Sequence, residues 1–235
     1  MTFRILGASH ANALRFAYEL NYVNHPKDLQ IRGVAALKNF YEPFHTFDGK
    51  EIRFTNPDIV EGFKMSFGTD VIRAEDRIWG IVTGFTSVRL WGAWCWSNGY
   101  SPSMDDPGNK YHVTNGMLRG VHSRLNAGWF QFLKDLRQLD LRVVLISSPP
   151  PIPTHPSLQV GFDPDVAMHI HEIAADHWQE FADANGIESV RVPTRVCDEK
   201  GFLLPEYFID DGIEDFTHGN IDYGEALLAE VLEIL

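Results

Sequence analysis

The stretch Phe3-Arg4-Ile5-Leu6-Gly7-Ala8-Ser9-His10-Ala11-Asn12-Ala13-Leu14 decides how the rest of the chain is read. It opens as a short apolar strand, passes through Gly7 and continues as a helix, with Leu14, Tyr18 and Tyr22 at helical spacing. Ser9 therefore falls where a strand turns into a helix. A hydroxyl there stands at the open edge of a sheet, beside helix N-terminal amides that favour negative charge. Two readings fit. Ser9 caps the helix, as serine often does, or it is a nucleophile in a reaction that develops an oxyanion.

Outward from this stretch, apolar strands alternate with amphipathic helices. Leu29 to Ala36 reads as a second strand. Thr46-Phe47 and Glu51-Ile52-Arg53-Phe54 flank the turn dipeptide Asp48-Gly49, which predicts a hairpin. Asn56-Pro57-Asp58 is a helix start, with Asn as cap and Pro in the first turn. A third strand is expected from about Ile78 to Thr83, ending at Gly84-Phe85-Thr86-Ser87. Residues 116 to 139 carry one helical apolar stripe through Val121, Leu125, Trp129, Phe132, Leu133 and Leu136. Arg142 to Ser148 suits a buried parallel strand that Pro149-Pro150-Pro151 ends. Pro164 opens a helix with Val166, Ile170, Ile173, Ala174, Trp178 and Phe181 on one face, stopped by Asn185-Gly186. Ile187 to Val192 is a fifth strand, and Asn220 caps a terminal helix. Strands and helices alternate from end to end, so the chain is read as one α/β domain over residues 1–235. It is a three-layer α/β/α sandwich on a five-stranded parallel sheet. An inserted hairpin and helix occupy about 38–70. A loop over about 91–111 holds Trp91, Trp94, Trp96 and Tyr100, and is read either as a lid or substrate wall or as a satellite aromatic core. In such sheets a site lies beyond the carboxyl ends of the strands, where Ser9, Gly84 to Ser87 and Ser147 to Pro151 all fall.

Composition narrows the function. The net charge of −12 argues against a nucleic-acid surface, which needs clustered Lys and Arg. The sequence shows neither a membrane-spanning apolar run nor a signal-peptide pattern. Its two cysteines, Cys95 and Cys197, have no metal-ligand spacing, so a reducing cytoplasm is the expected location. No nucleotide-binding glycine motif is present, and no cofactor is indicated. His169, His171 and His177 share a helix but lack the i, i+4 spacing of a helical metal pair, and no metal site is expected. Asp105, Asp106 and Asn109 read as a solvated turn, lacking the closing Glu of a calcium loop.

The second informative stretch is Asp215-Phe216-Thr217-His218-Gly219-Asn220-Ile221-Asp222-Tyr223-Gly224. One turn between Asp215 and His218 lets the carboxylate reach the imidazole. A carboxylate on one ring nitrogen fixes the tautomer and frees the other nitrogen to take a proton from a serine. Gly7-Ala8-Ser9-His10 after the first strand and Asp215-Phe216-Thr217-His218 before a terminal helix together resemble the SGNH hydrolases, the GDSL-like esterase and lipase superfamily. Ser147-Ser148-Pro149-Pro150 resembles that family's fourth strand and its proline turn. The resemblance implies a flavodoxin-like SGNH hydrolase fold, with Ser9 as nucleophile, His218 as general base and Asp215 as its orienting partner. The family's third block is Gly-x-Asn-Asp, and the matching place reads Gly84-Phe85-Thr86-Ser87. Gly84 and Thr86 would then lie at the oxyanion hole and substrate, with a Thr hydroxyl where the family has an Asn amide. Losing one well-placed oxyanion donor costs about 10²–10³ in rate. Of the family's second-block glycine, Gly33 is the one candidate, and it is expected inside its strand. The implied function is hydrolysis of an ester or thioester of a small molecule through an acyl-serine. An acyltransferase with the same triad, or a non-catalytic binding module on the same fold, are the alternatives.

Overall fold

The computed structural model describes residues 3–20, 28–76, 78–85, 87, 90, 99–100, 111–159, 161–209 and 217–234. Its centre is a five-stranded, all-parallel sheet of β1 (Phe3–Gly7), β2 (Leu29–Gly33), β6 (Ile78–Gly84), β9 (Arg142–Ser147) and β10 (Glu188–Val190), in the order β10-β9-β6-β1-β2. Neighbouring residues of each strand face opposite sides. Ile5, Val144 and Ile146 join one core cluster, whereas Leu6, Val143 and Leu145 join the other. Both faces of a parallel sheet must be covered, because its crossovers are helical.

The first cluster packs under α1 (Ala11–Leu20) and α7 (Ile221–Glu233), through Leu14, Tyr18, Leu227, Leu228 and Val231. The second packs under α2 (Pro57–Phe67), α4 (Ala127–Gln138) and α6 (Pro164–Ala184), through Phe63, Trp129, Phe132 and Trp178. Two further α-helices among the described residues are α3 (Asn115–Leu125) and α5 (Pro156–Gln159). The three expected layers are therefore present. A fully buried Leu or Ile contributes roughly 1.5–3 kcal/mol, so the two clusters hold the sheet from both sides.

Local chemistry sets the boundaries. The Asn56 side chain accepts from Asp58 N and Ile59 N at the start of α2, as its cap position implies. Gly186, at φ 61°, follows the end of α6 in the left-handed region, as expected for a helix stop. The hairpin of β3 (His45–Phe47) and β4 (Glu51–Phe54) forms across Asp48-Gly49, and a strand not foreseen from sequence, β5 (Val71–Arg73), pairs with β4. Three residues of mixed character carry too little periodicity to announce themselves; β5 exists because β4 offers it a partner edge.

Three expectations on boundaries are corrected. The stripe over 116–139 is two helices, not one, broken at buried Asn126, whose side-chain amide donates to His122 O at 3.0 Å. A single-residue break preserves the spacing of the stripe, so the pattern reads through it. Val121 is accordingly on the outside. The second strand ends at Gly33 rather than Ala36. Gly62 of α2 sits so close to Val34 that a Cβ there would lie 1.9 Å from its carbonyl oxygen, and the chain leaves the sheet to pack under α2. The fifth strand is limited to Glu188–Val190. Most of the tryptophan-rich loop, with Trp91, Trp94, Trp96, Asp105, Asp106 and Asn109, lies outside the described residues; β7 (Gly99–Tyr100), within it, pairs in parallel with β8 (Tyr111–His112) at its C-terminal end.

Candidate active site

Gly7 ends β1, and Ser9 follows two residues later, before α1 begins at Ala11. The turn is tight because Gly7 lacks a side chain: a Cβ there would lie 2.8 Å from Val82 O and 2.9 Å from Val82 Cβ. Gly33, at the end of β2 and in register with Gly7, is likewise enclosed, with a Cβ 2.9 Å from Ala8 O and 3.1 Å from Asn12 Oδ1. Gly33 is thus inside its strand, as expected, but as its last residue, at the carboxyl edge of the sheet.

His218 arrives from the other end of the chain. Its backbone is clamped by Ile209 N donating to His218 O and by the Phe208–Gly219 bridge. Asn220 secures the same corner. Its side chain accepts from Tyr223 N at 3.1 Å, capping α7, and donates to Glu206 O at 2.8 Å. Gly224 then lets α7 touch the backbone of α1, since a Cβ there would lie 2.1 Å from Ala13 O. This contact fixes how far the start of α7 stands from the start of α1.

The result is a Ser9 Oγ to His218 Nε2 distance of 2.7 Å, across 209 positions of sequence. With Nδ1 carrying the ring proton, the Ser9 hydroxyl donates to Nε2. Thr217 Oγ1 lies 3.3 Å from His218 Nδ1. The hydroxyl of Ser9 is therefore engaged with an imidazole instead of capping α1. His10 is buried, and its ring packs 4.6 Å from that of His218, restricting the latter's rotation. Both members of the pair line a cleft of about 710 Å³, bounded also by Ala13, Phe16, Leu20, Ile209 and Ile221.

The other expected site residues divide. Gly84 closes β6 beside Ser147, at the same sheet edge as Ser9. Asp215 and Thr86 lie outside the described residues. Phe85 is buried at φ 63°, a left-handed backbone unusual for a bulky residue and typical of functional loops. Two residues later, Ser87 Oγ lies 2.7 Å from His171 Nδ1. Burial, with a smaller contribution from the Arg191 guanidinium, pushes the His171 imidazole down to about 4. This second serine–histidine pair carries no sequence signal, because it joins a loop to the middle of a helix. The three histidines of α6 do not converge. His169 meets Asn115 Oδ1 at 3.1 Å, His171 meets Ser87, and His177 Nδ1 lies 2.9 Å from His122 Nδ1.

Solved structures sharing this architecture carry the decisive likeness. An extracellular lipase from Streptomyces rimosus superposes with a TM-score of 0.54 at 12% identity, over 100% of this chain and 99% of its own. A GDSL-like lipase from Bacteroides thetaiotaomicron gives 0.53 at 14% identity, over 99% and 88%. This chain has the SGNH hydrolase fold. A phospholipase A1 from Streptomyces albidoflavus has it too, with a TM-score of 0.53, 11% identity and coverage of 99% and 98%. No family model matches the sequence, and no curated protein does. Identities this low speak for the SGNH hydrolase fold alone. Among the described residues, no helix is long and apolar enough to cross a membrane.

Proposed function

We propose that this SGNH-fold protein hydrolyses an ester or thioester of a small molecule through an acyl-Ser9 intermediate. The observation that carries this reading is the 2.7 Å contact of Ser9 Oγ with His218 Nε2 at the mouth of an apolar cleft. Hydrogen-bond reach between nucleophile and base is the first requirement of such chemistry. Ser9 Oγ attacks the acyl carbonyl carbon while its proton passes to Nε2. His218 then gives that proton to the departing alkoxide or thiolate as the carbon–oxygen or carbon–sulfur bond breaks. Water, deprotonated by the same nitrogen, attacks the acyl-serine and restores the hydroxyl. Asp215, three residues before His218, would hold Nδ1–H and stabilise the imidazolium. The Ser9 N–H and the Thr86 hydroxyl would donate to the oxyanion, with Gly84 leaving room for the substrate. Thr86 supplies a single rotatable donor where the family uses an amide.

The neighbours fit this reading, being described as lipases and a phospholipase. The test is covalent capture by a fluorophosphonate probe. Labelling should map to Ser9, vanish in Ser9→Ala and fall strongly in His218→Ala. Folded protein that resists the probe and turns over no ester would make the fold a binding module instead.

A further inference from the structure

The cleft beside Ser9 has a direction. Ala13, Phe16 and Leu20 follow Ser9 at intervals of three and four along α1, so they form one stripe on the helix. Ile209 and Ile221 face that stripe from the segment that carries His218. Ser9, His10 and His218 line the cleft together with Asn12, Asn220 and Asp222, while Ala13, Phe16, Leu20, Ile209 and Ile221 supply its apolar surface.

The exposures are out of keeping with an ordinary surface. Phe16 is 43%, Leu20 68% and Ile221 37% exposed. Exposed large apolar side chains scattered singly need no explanation; a contiguous set beside a reactive group marks a binding groove. An acetyl group would reach only the head of this cleft and leave Phe16 and Leu20 in water.

From Ser9 to Leu20 the rise along the helix is about 16 Å, at ~1.5 Å per residue. A staggered carbon chain with bonds of ~1.5 Å advances roughly 1.3 Å per carbon, so the stripe matches about twelve carbons. The Asp222 carboxylate in the lining and the net charge of −12 disfavour an anionic occupant. The groove also begins at the reactive hydroxyl, which points to the acyl part of the substrate rather than to a partner protein.

We infer that the groove along α1 selects linear, uncharged acyl chains of about eight to twelve carbons. This rests on the hydrolase reading for the chemistry, but the groove itself is measurable without turnover. N-methyl amides of saturated acids from two to fourteen carbons resemble the ester and are not cleaved. Titrated into the full chain and followed by NMR shifts, they should bind about fourfold more tightly per added methylene, given ~0.8 kcal/mol per buried CH₂. The gain should level off near twelve carbons, with shifts progressing from Ala13 to Leu20.

Leu20→Asn changes an exposed position, so folding is not at stake. It should reduce the ratio of ten-carbon to four-carbon affinity by about tenfold. Affinities independent of chain length would overturn the inference. So would an unchanged ratio in Leu20→Asn, or a dimer that this variant disperses without altering the ratio. Length-dependent binding in a protein that resists fluorophosphonate would keep the groove and defeat the hydrolase reading; labelling of Ser9 with flat amide affinities would do the reverse.

Discussion

Two of the serine–histidine pairs among the described residues have the same spacing, 2.7 Å for Ser9–His218 and 2.7 Å for Ser87–His171, and their surroundings are opposite. Ser9 and His218 line an open cleft. Ser87 is 4% exposed, and its histidine is held neutral by burial, with Arg191 adding to the effect. Hydrogen-bond length therefore does not make a base. A general base must accept a full positive charge, and water withdrawal beside a guanidinium opposes that charge. It must also stand where an acyl carbon can approach. The second pair meets neither condition and ties the loop after β6 to α6.

The largest expected difference between the pairs is chemical. Ser9→Ala should lower kcat by about four orders of magnitude or more, the scale seen when a serine nucleophile is removed. Ser87→Ala should leave fluorophosphonate labelling of Ser9 in place. Equal losses from the two substitutions, measured by steady-state hydrolysis, would erase the distinction.

The histidines should separate in the same sense. His218→Ala should reduce kcat about as much as Ser9→Ala, by about four orders of magnitude or more, with little change in melting temperature. His171→Ala should instead destabilise the fold by about 1–3 kcal/mol, because the buried Ser87 hydroxyl loses its hydrogen-bond partner. Urea unfolding and burst kinetics on both variants check this.

Gly224→Ala should act on the first pair only. Its Cβ would meet the Ala13 carbonyl at 2.1 Å. The cost of such overpacking is about 1–3 kcal/mol, and the separation of α1 from α7 should lower kcat as well. A drop in melting temperature with unchanged kcat would show that the Ser9–His218 spacing does not depend on this contact.

The second pair should also set an acid limit. The His171 imidazole lies near 4 in the folded chain against an ordinary 6.5. The unfolded state thus binds the extra proton between these values. Stability is fully present above 6.5 and declines as pH falls towards 4, by about 3 kcal/mol in all. Urea midpoints from pH 7 to pH 4.5 should show this slope, and His171→Gln should flatten it. The smallest effect belongs to Arg191→Gln. Its guanidinium lies over Phe85, 5.1 Å from the ring centre, and is exposed to solvent. Removal should ease the protonation of His171 and shift the acid limit by less than ~1 kcal/mol.

Local chemistry along the chain announced a great deal. Alternating apolar strands and amphipathic helices gave the parallel sheet, because a buried strand needs apolar residues on both faces and a crossover helix needs one apolar stripe. The caps at Asn56 and Asn220 marked helix starts, since each satisfies backbone amides within its own turn, and Pro164 marked another. Ser9 and His218 could be named because each lies at the end of a local pattern. What the sequence could not carry was anything that depends on distant parts meeting. The break at Asn126, the third strand of the small sheet, the Ser87–His171 pair and the apolar wall facing α1 arise from contacts between segments far apart in the chain. So does the choice between Ser9 as a helix cap and Ser9 as the partner of an imidazole: residue types fix what a side chain is able to do, and only packing, here α7 pressed onto α1 at Gly224, fixes what it touches.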